Sequence, residues 1–145
     1  MKMLYTIGHS NHDLPTFLNL LKDVGIECIW DVRSKPYSIW TPHFNKQFLQ
    51  TSLNKIGIDY KSVLALGGLD DSIPQEVYEK ALDDLIKKSG EEKIAVMCSE
   101  GKHRDCHRWQ KIARDAEPRG VKVIHITTKG ELVEDIYPVP APSLF

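Results

Sequence analysis

Apolar residues recur along this chain in two periods. Short apolar runs at residues 3–7, 28–32, 58–63, 93–97 and 121–126 read as strands. Between them the spacing widens to three and four. Leu14, Phe17, Leu18, Leu21 and Val24 share one face of a helix over residues 13–24, with Asp13 as its cap, Pro15 in its first turn and Gly25 at its end. A second helix is expected over residues 45–55, with Phe48, Leu49 and Leu53 turned inward. Ser72-Ile-Pro-Gln75 has the form of a capping box and opens a third helix to about Lys88, with Val77, Tyr78, Ala81, Leu82, Leu85 and Ile86 as its apolar stripe. A fourth spans residues 105–116 and stops at Pro118 and Gly120.

Strands that alternate with helices pair in parallel, and a parallel sheet is covered on both faces. The pattern therefore predicts a single-domain open α/β sandwich over residues 1–133, with a mainly parallel sheet of about five strands and helices on both faces. Residues 134–145 carry Pro138, Pro140 and Pro142 and read as an extended arm. Residues 34–44 read as a long loop broken by two prolines. Its Tyr37, Ile39 and Trp40 are costly to leave in water, so a wall or lid over a site is expected there.

Bulk composition narrows the partners. With 145 residues, 41% hydrophobic and 27% charged, the chain has material for one ordinary core. A net charge of −1 does not imply a broad nucleic-acid-binding face, though a local basic patch is compatible with it. The first residues have no signal-peptide pattern, and no stretch approaches the roughly 20 apolar residues of a membrane span. Three cysteines without a secretory context fit a reducing cytoplasm.

Ligands of open parallel sheets bind outside the carboxyl ends of the strands. Nearly every strand end here offers a reactive group. The first is followed by Gly8-His9-Ser10, the second ends in Asp31-Val-Arg33, and the third leads to Gly67-Gly68. The fourth delivers Cys98 and Glu100, and the fifth carries His125, then Thr127 and Thr128. The fourth run continues as Cys98-Ser-Glu-Gly-Lys-His-Arg-Asp-Cys-His-Arg108 and enters a helix, so oriented amides and Lys102, Arg104 and Arg108 surround the Cys98 thiol and favour its thiolate.

Taken in order, Thr6-Ile-Gly-His-Ser10, Asp31-Val-Arg33 with Pro36, Leu66-Gly-Gly68, Cys98-x-Glu100, Cys106-His-Arg108 and His125-Ile126 resemble the domain of unknown function 488 family over about residues 4–130. The resemblance implies a cytoplasmic α/β protein of prokaryotic type and brings no reaction with it. A partial similarity to rhodanese-type sulfurtransferases lies in the Asp31-Val-Arg33 strand end and in Cys98-x5-Arg104, a spacing that lets a loop wrap an oxyanion. Glu100 and Asp105 depart from that pattern by placing negative charge in the cradle.

Three readings of the chemistry follow. In the first, an enzyme binds a small anionic substrate, and sulfur or phosphoryl transfer is the leading reaction class. Cys98 is the nucleophile, Glu100, His9 and Asp31 supply acid–base chemistry, and Arg33, Ser10, Arg108, His107 and Tyr37 bind substrate. In the second, Cys98, Cys106 and His107 hold zinc or iron, or Cys98 and Cys106 form a redox pair. In the third, Arg33, Lys102, Arg104, Arg108, Tyr37 and Trp40 form a non-catalytic surface for nucleotide or nucleic acid. Each position also has a plainer role. Cys98 and Cys28 suit a core, Asp31 and Arg33 a structural ion pair, His9 a backbone hydrogen bond in a turn, and Cys106-His-Arg108 a capped helix start.

Overall fold

A computed structural model describes residues 2–67, 72–100 and 107–134, with residues 107–110 as backbone only. Six strands form one sheet: β1 (Lys2–Gly8), β2 (Cys28–Asp31), β3 (Asp59–Ser62), β4 (Ile94–Cys98), β5 (Val121–Ile126) and β6 (Leu132–Val133). Their order is β3-β2-β4-β1-β5-β6. All pairings are parallel except β5 with β6. The expected mainly parallel α/β sandwich is present, with one more strand than the five expected. Residues 132–133 are too few for a period to show, and β6 exists because Val133 pairs with His125. Glu134, expected in the tail, forms an ion pair with Lys122 at 2.7 Å. Residues 135–145 lie outside the described residues.

The helices are α1 (Leu14–Val24), α2 (Lys46–Lys55), α3 (Gln75–Ser89) and α4 (His107–Ala116). Asp13 caps α1 by accepting from the Thr16 amide. Gly25 ends it in the left-handed region, where its amide reaches the carbonyls of Leu21 and Lys22. The capping box expected at residues 72–75 does not form. Its prolyl residue, Pro74, takes the cap position itself, so the helix starts at Gln75 with no side-chain cap bond. At the other expected starts, residue 45 is the cap of α2, and residues 105–106 lie outside the described residues.

Two cores sandwich the sheet. Phe17 and Leu21 of α1 and Leu49 and Leu53 of α2 pack on Tyr5, Ile7, Ile29, Met97 and Ile124. Tyr78, Leu82, Leu85 and Ile86 of α3 and Ile112, Ala113 and Ala116 of α4 pack on Leu4, Trp30, Val96 and Val123. Strand residues divide between the faces by parity, as the pleat requires. Two residues expected inward are not: Phe48 is 63% exposed and Val77 is 47% exposed. Each sits at the margin of its apolar stripe, where a small rotation of the helix selects its neighbours for burial.

The strand order has one functional consequence. From β1 the chain leaves through α1 toward β2, while from β4 it leaves toward α4 and β5. Since α1 and α4 cover opposite faces, the segments after these adjacent strands diverge. That is the topological switch point at which open α/β sheets leave a crevice.

Candidate functional site

The crevice lies between the ends of β1 and β4. Gly8 pairs with Cys98 in register. The pairing runs two residues past the strand ends, where the His9 amide donates to the Cys98 carbonyl and the Ser10 amide to the Ser99 carbonyl, both at 2.9 Å. His9 and Cys98, expected at one edge from the pattern of strand ends, are thus neighbours across this seam. Asp31 ends β2 on the other side of β4, where it pairs with Met97. His125 sits near the end of β5, paired with Thr6.

One edge does not mean one face. Asp31 follows Ile29 on the α1/α2 face, and His9 follows Tyr5 and Ile7 onto the same side. Cys98 belongs to the α3/α4 face with Ile94 and Val96. There too lie Thr6 and His125, both buried, with the Thr6 hydroxyl bonded to His125 Nδ1. The polar groups at the edge therefore form two clusters, back to back, which meet only at the crevice.

His9 is the best-defined member of the first cluster. It is buried, and its ring stacks on Phe44 with centroids 4.5 Å apart and planes 23° apart. Its Nδ1 lies 2.7 Å from the Ser10 carbonyl oxygen. A carbonyl can only accept, so Nδ1 carries the proton and Nε2 keeps its lone pair. Nε2 has no hydrogen-bond partner among the described residues. Burial is the main reason that the imidazole pKa falls to about 4; the nearby Arg33 charge lowers it further, while the Ser10 carbonyl and Asp31 oppose the fall. His9 is accordingly a neutral base at pH 7. Ser10 takes φ 51°, the left-handed region, which turns the chain sharply after the strand.

Asp31 and Arg33 form a buried pair. Asp31 accepts from the Arg33 backbone amide at 3.0 Å, from Nε at 2.9 and 3.1 Å and from Nη2 at 2.8 Å. The Tyr60 hydroxyl donates a further bond to the same carboxylate. Four donor groups compensate for the desolvation of a fully buried charge. Burial, and then the bond to Asp31, push the Tyr60 phenol well above its ordinary range. Arg33 Nη2 also donates to the Phe44 carbonyl at 2.8 Å. The structural ion pair anticipated for these two residues is formed, and it uses much of the guanidinium that an anion clamp would need.

On the second face, Cys98 is buried, and its sulfur lies 3.5 Å from the Glu100 carbonyl oxygen. Glu100 is exposed. Cys106, Lys102, Arg104 and the side chains of His107 and Arg108 lie outside the described residues. The Cys98–Cys106 pair, the metal set and the Cys98-x5-Arg104 loop therefore lie partly outside them too. Among the described residues no three His, Cys, Asp or Glu side chains gather to hold a metal ion. Cys28 lies in the core as anticipated, and burial pushes its thiol pKa up to about 12.

The loop over residues 34–44 closes on itself. The Lys46 amide donates to the Pro36 carbonyl at 3.0 Å. Asn45 Oδ1 accepts from the Ser38 amide at 2.6 Å. A 3-10 turn, Pro42–Phe44, ends it and buries Phe44 completely. Its tip displays Tyr37, Ile39 and Trp40, the last 87% exposed. Three participants have no site role that the sequence alone suggests: Phe44, Tyr60 and Thr6. Phe44 looked like the end of a loop, and Tyr60 and Thr6 like strand residues. Only long-range pairing reveals their roles. The one signal available was that an aromatic residue at a loop end seldom lacks a packing partner.

No helix among the described residues is long and apolar enough to cross a membrane. A family model described as domain of unknown function DUF488 matches residues 13–79. That span, just under half of the chain, is what the protein is similar to. It contains Asp31, Arg33, Phe44 and Tyr60 but not His9, Cys98 or His125. No curated protein and no solved structure matches the chain.

Proposed function

We propose that the crevice between β1 and β4 is the active site of an enzyme that acts on a small anionic substrate, with His9 as its general base. The observation that carries this reading is the state of His9 at the switch point: neutral, held in one tautomer, with the Nε2 lone pair unclaimed among the described residues. A base must be free of a proton at the working pH and fixed in direction. Nε2 would take the proton of an attacking hydroxyl, water or thiol, and the resulting imidazolium would return it to the leaving group. Cys98 on the other lip of the crevice is the candidate nucleophile for sulfur or phosphoryl transfer, Glu100 a second acid–base group, and Arg108 at the start of α4 the cation for the substrate's charge.

The test combines turnover with ligand-linked stability. Wild type, His9→Gln, Cys98→Ser and Arg108→Ala are assayed on p-nitrophenyl phosphate and on thiosulfate with cyanide. Turnover should appear on one of them and fall about 100-fold or more in His9→Gln. Phosphate and sulfate should raise the wild-type Tm beyond their general salt effect, and Arg108→Ala should lose that gain. Turnover that survives His9→Gln unchanged ends the base assignment, and identical anion responses in wild type and Arg108→Ala end the anion-site assignment.

One observation favours a second reading. The exposed Tyr37 and Trp40 on a braced loop are suited to stacking on bases, as in a nucleotide or single-strand binding surface. Binding of a fluorescent oligonucleotide that weakens steeply with salt and is lost in Trp40→Ala would support it. Binding absent at low salt would refute it.

A further inference from the structure

The first cluster is more than a set of neighbours. Its contacts form one continuous path, from β3 through β2 to the loop and then to β1. Tyr60 on β3 holds Asp31. Asp31 holds the fork of Arg33 through Nε and Nη2. The same Nη2 holds the Phe44 carbonyl at 2.8 Å. The Phe44 ring, braced edge-on by Phe17 at 5.0 Å, lies flat against His9. Every member of this chain but Tyr60 is buried.

We propose that Asp31, Arg33 and Tyr60 are positioning residues, which set the orientation of His9 through Phe44 and do not bind substrate. The proposal rests on the reading of His9 as the base and assigns the residues that aim it. Two features point this way. First, Arg33 spends Nε and Nη2 on Asp31 and Phe44, and its side chain is almost wholly buried. A clamp for a diffusing anion needs an accessible fork. Second, the guanidinium that grips the Asp31 carboxylate with Nε and Nη2 also fixes the Phe44 carbonyl through Nη2. A lysine ammonium on its flexible stem lacks this planar, two-pronged grip.

The same arrangement adjusts the protonation of His9, which burial chiefly sets. Among the described residues, the charged or titratable groups that act on it are Arg33 and Asp31 from the β2 end and His43 from the 3-10 turn. Arg33 and His43 oppose an imidazolium and Asp31 favours one. Loss of the Arg33 charge leaves Asp31 uncompensated, so the His9 midpoint should rise.

Long-range proton–nitrogen NMR correlations of the histidine rings, recorded across pH, read both the tautomer and the midpoint without a substrate. Wild type should show His9 protonated at Nδ1 and titrating far below the ordinary histidine value. Arg33→Gln should raise the midpoint by about one unit or more and mix the tautomers. Arg33→Lys should keep the midpoint low but still mix the tautomers, because the charge is retained and the fork is lost. Tyr60→Phe, which removes one hydroxyl and keeps the ring, should shift both in the same sense by less, and it serves if the Arg33 variants fail to fold. If tautomer and midpoint match wild type in all folded variants, the positioning proposal is overturned and the base reading stands. If wild-type His9 itself titrates in the ordinary range, both fall.

Discussion

Acidification should destabilise this protein through His9 by an amount the structure sets. Burial holds the imidazole pKa near 4 in the folded chain, against an ordinary value of 6.5. Above pH 6.5 neither state binds the proton, and His9 contributes no pH dependence. Below it, the unfolded chain takes up a proton that the folded chain refuses, so stability falls with pH until about pH 4, where the folded form is protonated as well. The depression of about 2.5 units, at about 1.36 kcal/mol per unit, is worth about 3 kcal/mol across this window. That is a large part of the stability of a domain this size. Urea unfolding at pH 7, 6, 5 and 4, on wild type and His9→Gln, isolates the contribution, because every other titrating group is common to both. His9→Gln should be less stable at pH 7, since it loses the stack on Phe44. It should also lose stability more slowly on acidification, so that the gap between the two proteins narrows by about 3 kcal/mol by pH 4. Parallel curves would refute the argument, because they would mean that His9 is not held neutral by its surroundings.

Other outcomes follow from the same geometry. Asp31→Asn should cost about 3–5 kcal/mol in urea unfolding, because it leaves the Arg33 guanidinium buried beside a neutral partner. Leu82→Ala, at a fully buried position under the α3/α4 core, should cost about 2–5 kcal/mol and leave the NMR signals of His9 unmoved, since His9 lies on the other face. Cys28 should resist iodoacetamide in the folded protein from pH 7 to 9, because its thiol is buried and its pKa pushed up to about 12; rapid labelling would contradict its place in the core. Gly67→Ala should be destabilising by about 1 kcal/mol, because a Cβ there would lie 3.1 Å from the Leu64 carbonyl oxygen and 3.2 Å from that of Val32, and backbone yields less readily than a side chain.

Much of the architecture was legible in the sequence, for a local reason. Whether a segment is helix or strand depends on periods of 3.6 and 2 among near neighbours, and on caps such as Asp13 and Gly25 that lie beside the elements they end. The same periods locate the strand ends, and so they brought His9, Asp31, Cys98 and His125 to one edge. What the period could not supply was the order β3-β2-β4-β1-β5-β6, which places β1 against β4 and makes the seam between His9 and Cys98 the switch point. Nor could it show that Cys98 and His125 face away from His9 and Asp31, because the face that each strand parity takes depends on which helices cover which side. The third helix starts later than the serine signal suggests, because Pro74 takes the cap position. The link from Tyr60 through Asp31 and Arg33 to Phe44 joins residues up to 29 positions apart. Such bonds are decided by the register of β2 on β3 and by the closure of a loop. Both are products of the packed core, and neither leaves a trace in the local pattern of polar and apolar residues.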